Sequence, residues 1–326
     1  MRLLPTFSWL LSTLMVLSPV ALAQSYPSKP ITMVVPYPAG GPSDFVARQM
    51  QADMGKSLGQ PVLVENLGGV AGALGVQKML NAPADGYTVT LGSPLELIIT
   101  PLTLSTVKYT PADFKMVGQI VRAPMVLLAR KDLPANTVEE LMALAKAPGA
   151  KPLSAANTGT GSMFHLVSEK FSQQTRVPLI HVPYKGGAAV ITDLMGGQID
   201  LSFGIFAGSI PGLIAEGKLK ALGLTTKDKL PNFPQLTPLA SLPQLPGFEF
   251  NSWAGIQVPK NTPEAVSARL NKAVYDALQN PDIRKAFEAS GNTVVAPTSL
   301  ADLDKQLKAE VERYQAIAKS INLQPQ

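Results

Sequence analysis

The chain predicts a two-lobed α/β fold with two doubly wound sheets and a two-crossing hinge. Three observations lead there. Short β-branched runs alternate with amphipathic helical stretches in one block before residue 116 and again in a second block after residue 129. Two extended stretches, near 116–129 and 248–258, sit where the chain would pass between blocks. The length of 326 residues, 46% of them hydrophobic, allows a core in each block.

The elements follow in order. Arg2, the apolar stretch 9–17 and Ala21-Leu22-Ala23 read as a signal peptide over residues 1–23, cleaved before Gln24. That apolar run is too short for a spanning helix, so an exported, periplasmic location is expected. Ile31-Thr32-Met33-Val34-Val35 reads as a buried strand, broken by Pro36-Tyr37-Pro38-Ala39-Gly40-Gly41-Pro42. A helix over 44–58, a strand over 61–65, a helix over 72–80 and a strand over 87–91 complete the first parallel unit. In the second block Thr137 caps a helix over 137–146, with acidic residues in its first turn. Strands over 153–156, 179–182, 199–203 and 221–225 alternate with helices over 162–172, 187–195 and 210–216. Residues 227–249, rich in Pro and Leu, read as irregular. Thr262 caps a helix with Pro263 at its first position, and helices over 281–290 and 300–319 close the chain. Lobe 1 is therefore expected to comprise 24–122 with 251–326, and lobe 2 to comprise 123–250.

Composition narrows the chemistry. The chain has no cysteine and two histidines, which excludes thiolate catalysis and argues against structural zinc. No pair of histidines and carboxylates shows metal-ligand spacing, so no metal and no cofactor are expected. The net charge of +5 comes from scattered Lys and Arg, without a nucleic-acid footprint. Gly159-Thr160-Gly161 lacks the third glycine of a dinucleotide loop, and Gly55-Lys56-Ser57 falls late in a helix rather than after a strand.

Three strand-to-helix turns are built for close backbone approach: residues 36–44, residues 157–162, and Pro183-Tyr184-Lys185-Gly186-Gly187. Free amides at a helix start suit a carboxylate or phosphate. Asp44 either caps its helix or meets a ligand ammonium. Lys185 either neutralises a ligand carboxylate or is solvated. Ser162 is read as a helix cap, His165 as a structural or ligand-neighbouring residue, and His181 as a core-edge residue. Glu96 is read as exposed, or else as a second partner for a cationic group, and Trp253 as core.

These loops carry a family resemblance. Pro36-Tyr37-Pro38-Ala39-Gly40-Gly41-Pro42-Ser43-Asp44, Gly159-Thr160-Gly161-Ser162-Met163-Phe164-His165 and Val182-Pro183-Tyr184-Lys185-Gly186-Gly187 resemble the Bug proteins, periplasmic receptors of tripartite tricarboxylate transporters. So do Asp193-Leu194-Met195-Gly196-Gly197-Gln198-Ile199-Asp200 and Pro246-Gly247-Phe248-Glu249 with Trp253 and Gly255. The resemblance implies a Venus-flytrap periplasmic-binding-protein fold of type II, acting as a monomer without catalysis. It implies a small organic carboxylate as ligand: an amino acid, a di- or tricarboxylate, or an aromatic acid. The partner would be inner-membrane transporter subunits or a membrane sensor. Carried onto this chain, it points to Tyr37, Ala39, Gly40, Gly41 and Asp44 in one lobe, and to Thr158, Gly161, Ser162 and Tyr184 in the other. His165 and Lys185 are added as neighbours. Residues 92–96 lack the Thr/His-rich character common in that family, and residues 236–239 lack its acidic linker residue. A hydrolase using Ser162 and His165 is the rival reading, and it lacks an orienting third residue.

Overall fold

Each βα unit is set by local chemistry. The strand β1 (Ile31–Val35) is almost wholly buried, as its unbroken apolar run requires. It feeds α1 (Pro42–Leu58), which opens on an extended Gly41 with Pro42 at its first position and stops at Gly59, φ 74°. β2 (Val62–Asn66), α2 (Ala73–Asn81) and β3 (Thr88–Gly92) follow. A π-helical turn, Leu95–Ile99, then runs into α3 (Thr100–Thr103).

β4 (Phe114–Arg130) is a 17-residue strand. Beyond it, α4 (Val138–Lys146) is capped by Thr137, whose side chain accepts the Glu140 amide. β5 (Leu153–Asn157), α5 (Met163–Thr175), β6 (Leu179–Pro183), α6 (Gly187–Met195), β7 (Leu201–Ile205), α7 (Ile210–Ala215) and β8 (Leu219–Leu224) repeat the alternation. After a largely irregular stretch come β9 (Asn251–Pro259), α8 (Glu264–Ala277), α9 (Pro281–Ala289), β10 (Thr293–Val294) and α10 (Leu300–Ser320). α8 starts after Pro263, so Thr262 is not its cap. The short β10 gave no signal in the sequence. These coordinates form a computed structural model that describes residues 26–159, 161–184, 186–230 and 233–320, with 323 and 325. The expected signal peptide lies outside the described residues.

Strands run in the order β2-β1-β3-β9-β4-β7-β5-β6, with β8 and β10 also paired to β4. β1 pairs in parallel with β2 and β3, and β5 in parallel with β6 and β7. The two parallel units are joined through β4. Its stretch 114–124 lies antiparallel to β9, and its stretch 125–129 lies antiparallel to β7. β4 coincides with the first expected crossing and bonds to both parallel units, whereas β9 is extended as expected but pairs only with β3 and with residues 114–124 of β4, on the side of the first unit.

The core is continuous across this junction. One apolar cluster runs from Val76 and Met79 of α2, through Met125 and Leu127 of β4, to Phe171, Phe203, Phe248 and Tyr314. Burying each such ring contributes roughly 2 kcal/mol of transfer free energy.

Candidate functional site

In open α/β sheets the carboxyl ends of the parallel strands hold the site. Here the segments that follow those ends touch across the two units. The loop after β1 packs on the loop after β2: a Cβ built on Gly68 would lie 3.1 Å from Cδ of Pro38. A Cβ on Gly72 would lie 2.6 Å from Cβ of Glu96 and 3.4 Å from the Tyr37 hydroxyl, tying in the segment after β3. From the second unit, a Cβ on Gly161 would lie 2.7 Å from Cγ2 of Thr103, at the end of α3. The loops after β1, β2 and β3 thus touch one another, and the loop after β5 touches the end of α3, which follows them.

Within this cluster the expected residues are arranged as follows. Ala39 and Gly40 are exposed and Gly41 half-buried at the mouth of α1; Thr158 is half-buried after β5. Ser162 caps α5, its hydroxyl accepting the His165 amide at 3.3 Å. Tyr184 donates its hydroxyl to Asp193 at 2.7 Å, which anchors the loop after β6 to α6. Lys185 and Thr160 lie outside the described residues.

Two expectations need correction. The amides of Gly40 and Gly161 are not free donors. Gly40 N–H donates to Asp44 Oδ2 at 2.9 Å, and Gly161 N–H donates to Nδ1 of His165 at 3.1 Å. Both loops fold back on a side chain four residues on, an Asx-like closure that competes for the same donors. The donors that helix geometry leaves over are the first-turn amides of Ser43 and Asp44 in α1 and of Met163 and Phe164 in α5. The second correction concerns Glu96, which is fully buried rather than exposed. It sits in the π-helical turn and accepts Tyr37 O–H at 2.5 Å, Ser93 O–H at 2.7 Å and the Ser93 amide. Burial pushes its carboxyl up, against the pull of the Tyr37 and Ser93 hydrogen bonds. Burial likewise raises the Tyr37 phenol, with the Glu96 charge adding to it.

Asp44 is buried, and its Oδ2 meets Arg48 Nε at 2.8 Å. The Arg48 hydrogen bond holds its carboxyl down at about 2. Its Oδ1 is buried without a partner among the described residues. Asp44 does not cap its helix, since Gly41 is the N-cap and no side chain bonds there; its Oδ2 instead closes the loop ahead of the helix, and Oδ1 is left over.

The loop after β2 was not singled out by sequence reasoning. Val70 and Ala71 sit at φ 48° and 49°, between Gly69 at 130° and Gly72 at 89°. A β-branched residue in the left-handed region is strained, and such strain gathers at functional sites. The signal was legible as Gly68-Gly69-Val70-Ala71-Gly72, a fourth glycine-rich turn between a strand and a helix.

His165 is not arranged as a base for Ser162. Its Nδ1 accepts Gly161 N–H, while its Nε2 lies 3.8 Å from Glu169 Oε1. His181 on β6 approaches the same oxygen with its Nε2 at 3.0 Å. The two imidazoles stand edge to face with centroids 4.8 Å apart. Linear spacing gave no metal-ligand pattern, yet the fold brings both histidines onto one glutamate.

Two α/β units joined through one long crossing strand, with glycine-rich turns at their strand ends, define a two-lobed solute-binding protein. Residues 46–323 match the model of the tripartite tricarboxylate transporter family receptor, and the chain belongs to that family. The fold is similar to that of the periplasmic binding protein BugD (TM-score 0.75, 32% identity, 92% of this chain and 100% of that one). It is similar to MatC from Rhodopseudomonas palustris with bound malate (0.74, 29%, 90% and 99%). It is also similar to R. palustris Rpa4515 with adipate (0.78, 31%, 92% and 100%). Family and fold are those of solute-binding proteins, not of enzymes.

Proposed function

We propose that the protein captures a small organic carboxylate in the periplasm by closing its two lobes, 24–122 with 251–326 and 123–250, for delivery to inner-membrane transporter subunits. The observation that carries this reading is the contact among the loops after β1, β2 and β3, with Gly161 of the loop after β5 against Thr103 at the end of α3. On this reading the starts of α1 and α5 face one cleft, where leftover first-turn amides and the positive helix ends favour an anion. Tyr37, Ala39, Gly40, Gly41 and Asp44 line one side of the cleft, and Thr158, Gly161, Ser162, His165, Tyr184 and Lys185 the other. The glycines act by admitting the ligand to the helix starts rather than as donors. The unpartnered Asp44 Oδ1 suits a ligand that also offers a hydroxyl or ammonium donor. Relatives seen with malate and with adipate support a dicarboxylate as the first candidate.

The ligand binds the closed state better and shifts the population toward it, with no covalent step. A thermal-shift screen of C4 to C6 mono- and dicarboxylates tests the reading. A true ligand at a hundredfold excess over Kd adds about 2.7 kcal/mol of stability. Turnover of any ligand so found, or the absence of a shift across the panel at millimolar concentration, overturns it.

A further inference from the structure

We propose that His165, Glu169 and His181 form a binding site for one divalent transition-metal ion of the zinc class. The chain has only two histidines, and the fold places both against a single carboxylate. His165 and Glu169 are one turn apart on α5, so they share a face by helix geometry. His181 comes from β6, twelve residues beyond Glu169. The three ligand atoms all lie within 4.8 Å of one another.

In a tetrahedral site with metal–ligand bonds of about 2.0–2.2 Å, ligand atoms sit about 3.4 Å apart. The separations of 3.0 Å and 3.8 Å to Glu169 Oε1 bracket that value. Two imidazoles and one carboxylate leave the fourth position open. The nitrogen ligands favour zinc, cobalt or nickel over magnesium or calcium. All three side chains are partly exposed, at 12%, 28% and 19%, so an ion can reach them. All three are also carried by helix or strand, which limits how far they can drift.

The proton positions connect this site to the loop after β5. Gly161 N–H donates to Nδ1 of His165, so the ring proton sits on Nε2, facing Glu169. A metal on Nε2 moves that proton to Nδ1, where it meets the Gly161 N–H and breaks the bond. No proton is lost; the tautomer changes and the Gly161 amide is released. His181 has no such restraint, since its Nδ1 is buried without a partner among the described residues.

The test uses untagged protein and zinc chloride alone. Titration calorimetry with the wild type is expected to show one equivalent of zinc bound. His181→Gln and Glu169→Gln, checked for folding by circular dichroism, are expected to weaken binding at least about tenfold. A wild type that takes up no zinc, or folded variants that bind it as the wild type does, overturns the proposal. Should either variant fail to fold, the wild type decides. Zinc moves the Gly161 amide resonance if it binds here, and an unmoved Gly161 resonance at zinc saturation overturns the site.

Discussion

At the scale of single residues, Asp44 does the most with one group. It is buried, accepts the Gly40 amide and the Arg48 guanidinium with one oxygen, and keeps the other unpartnered among the described residues. Its carboxyl sits at about 2, below its ordinary 3.8, so the folded state favours the ionised form. The stability this contributes is present above the ordinary value and is lost as pH falls from about 4 to about 2. Asp44→Ala removes the acceptor shared by the Gly40 amide and the Arg48 guanidinium and is expected to cost about 1 kcal/mol in urea denaturation at neutral pH. Asp44→Asn keeps an acceptor and costs less. Both variants should flatten the acid limb, and an unchanged limb would show that Asp44 is not the group that titrates there.

At the scale of elements, the glycine-rich loops differ in what their glycines are for. Gly40 has φ +81° and open space where a Cβ would go, whereas Gly161 has φ +79° and Thr103 in the way. Gly40→Ala therefore meets left-handed strain of about 1–2 kcal/mol without a collision inside the protein, and its Cβ enters the space through which the ligand is admitted, so carboxylate binding is expected to weaken. Gly161→Val adds a collision that forces α3 and the loop after β5 apart. It is expected to weaken carboxylate binding at least about tenfold, read as the ligand-induced thermal shift of each folded variant. The alternating elements were legible because their signals are local: the β-branched run of β1, the Thr137 cap of α4, the Ser162 cap of α5. The polar contacts of the site were not. Tyr37 and Glu96 are 59 residues apart, and a glutamate after a strand reads as exposed until the π-helical turn that buries it is known. The Glu169–His181 contact links a helix to a strand, so no spacing rule announces it. Nor does sequence reveal that Gly40 and Gly161 spend their amides inside their own loops.

At the scale of the whole molecule, α10 fastens β4 and β9. Arg122 of β4 donates to Gln306 at 2.9 Å, and Trp253, opposite Arg122 on β9, donates its indole N–H to Glu310. Burial pushes the Glu310 carboxyl up to about 7, against the Trp253 hydrogen bond and the nearby Arg313 and Arg122 charges. The unfolded chain ionises this group near 4.5 and the folded one near 7, so stability falls as pH rises between those values. Glu310→Gln is expected to remove that slope while keeping an acceptor for the indole. In protein lacking the first 23 residues Trp253 is the sole tryptophan, so its fluorescence follows unfolding without a label. A wild-type slope that persists in the variant assigns it elsewhere. β4 has a mechanical consequence as well. A strand of 17 residues bonded into both parallel units ties one to the other, so turning one unit against the other winds that strand. Its partner changes from β9 to β7 at Pro124/Met125, with register slips at Met116/Gly118 and Gln119/Val121 on one side and at Leu127/Leu128 on the other, and that bracketed change of partner is where such a torsion bar takes up twist.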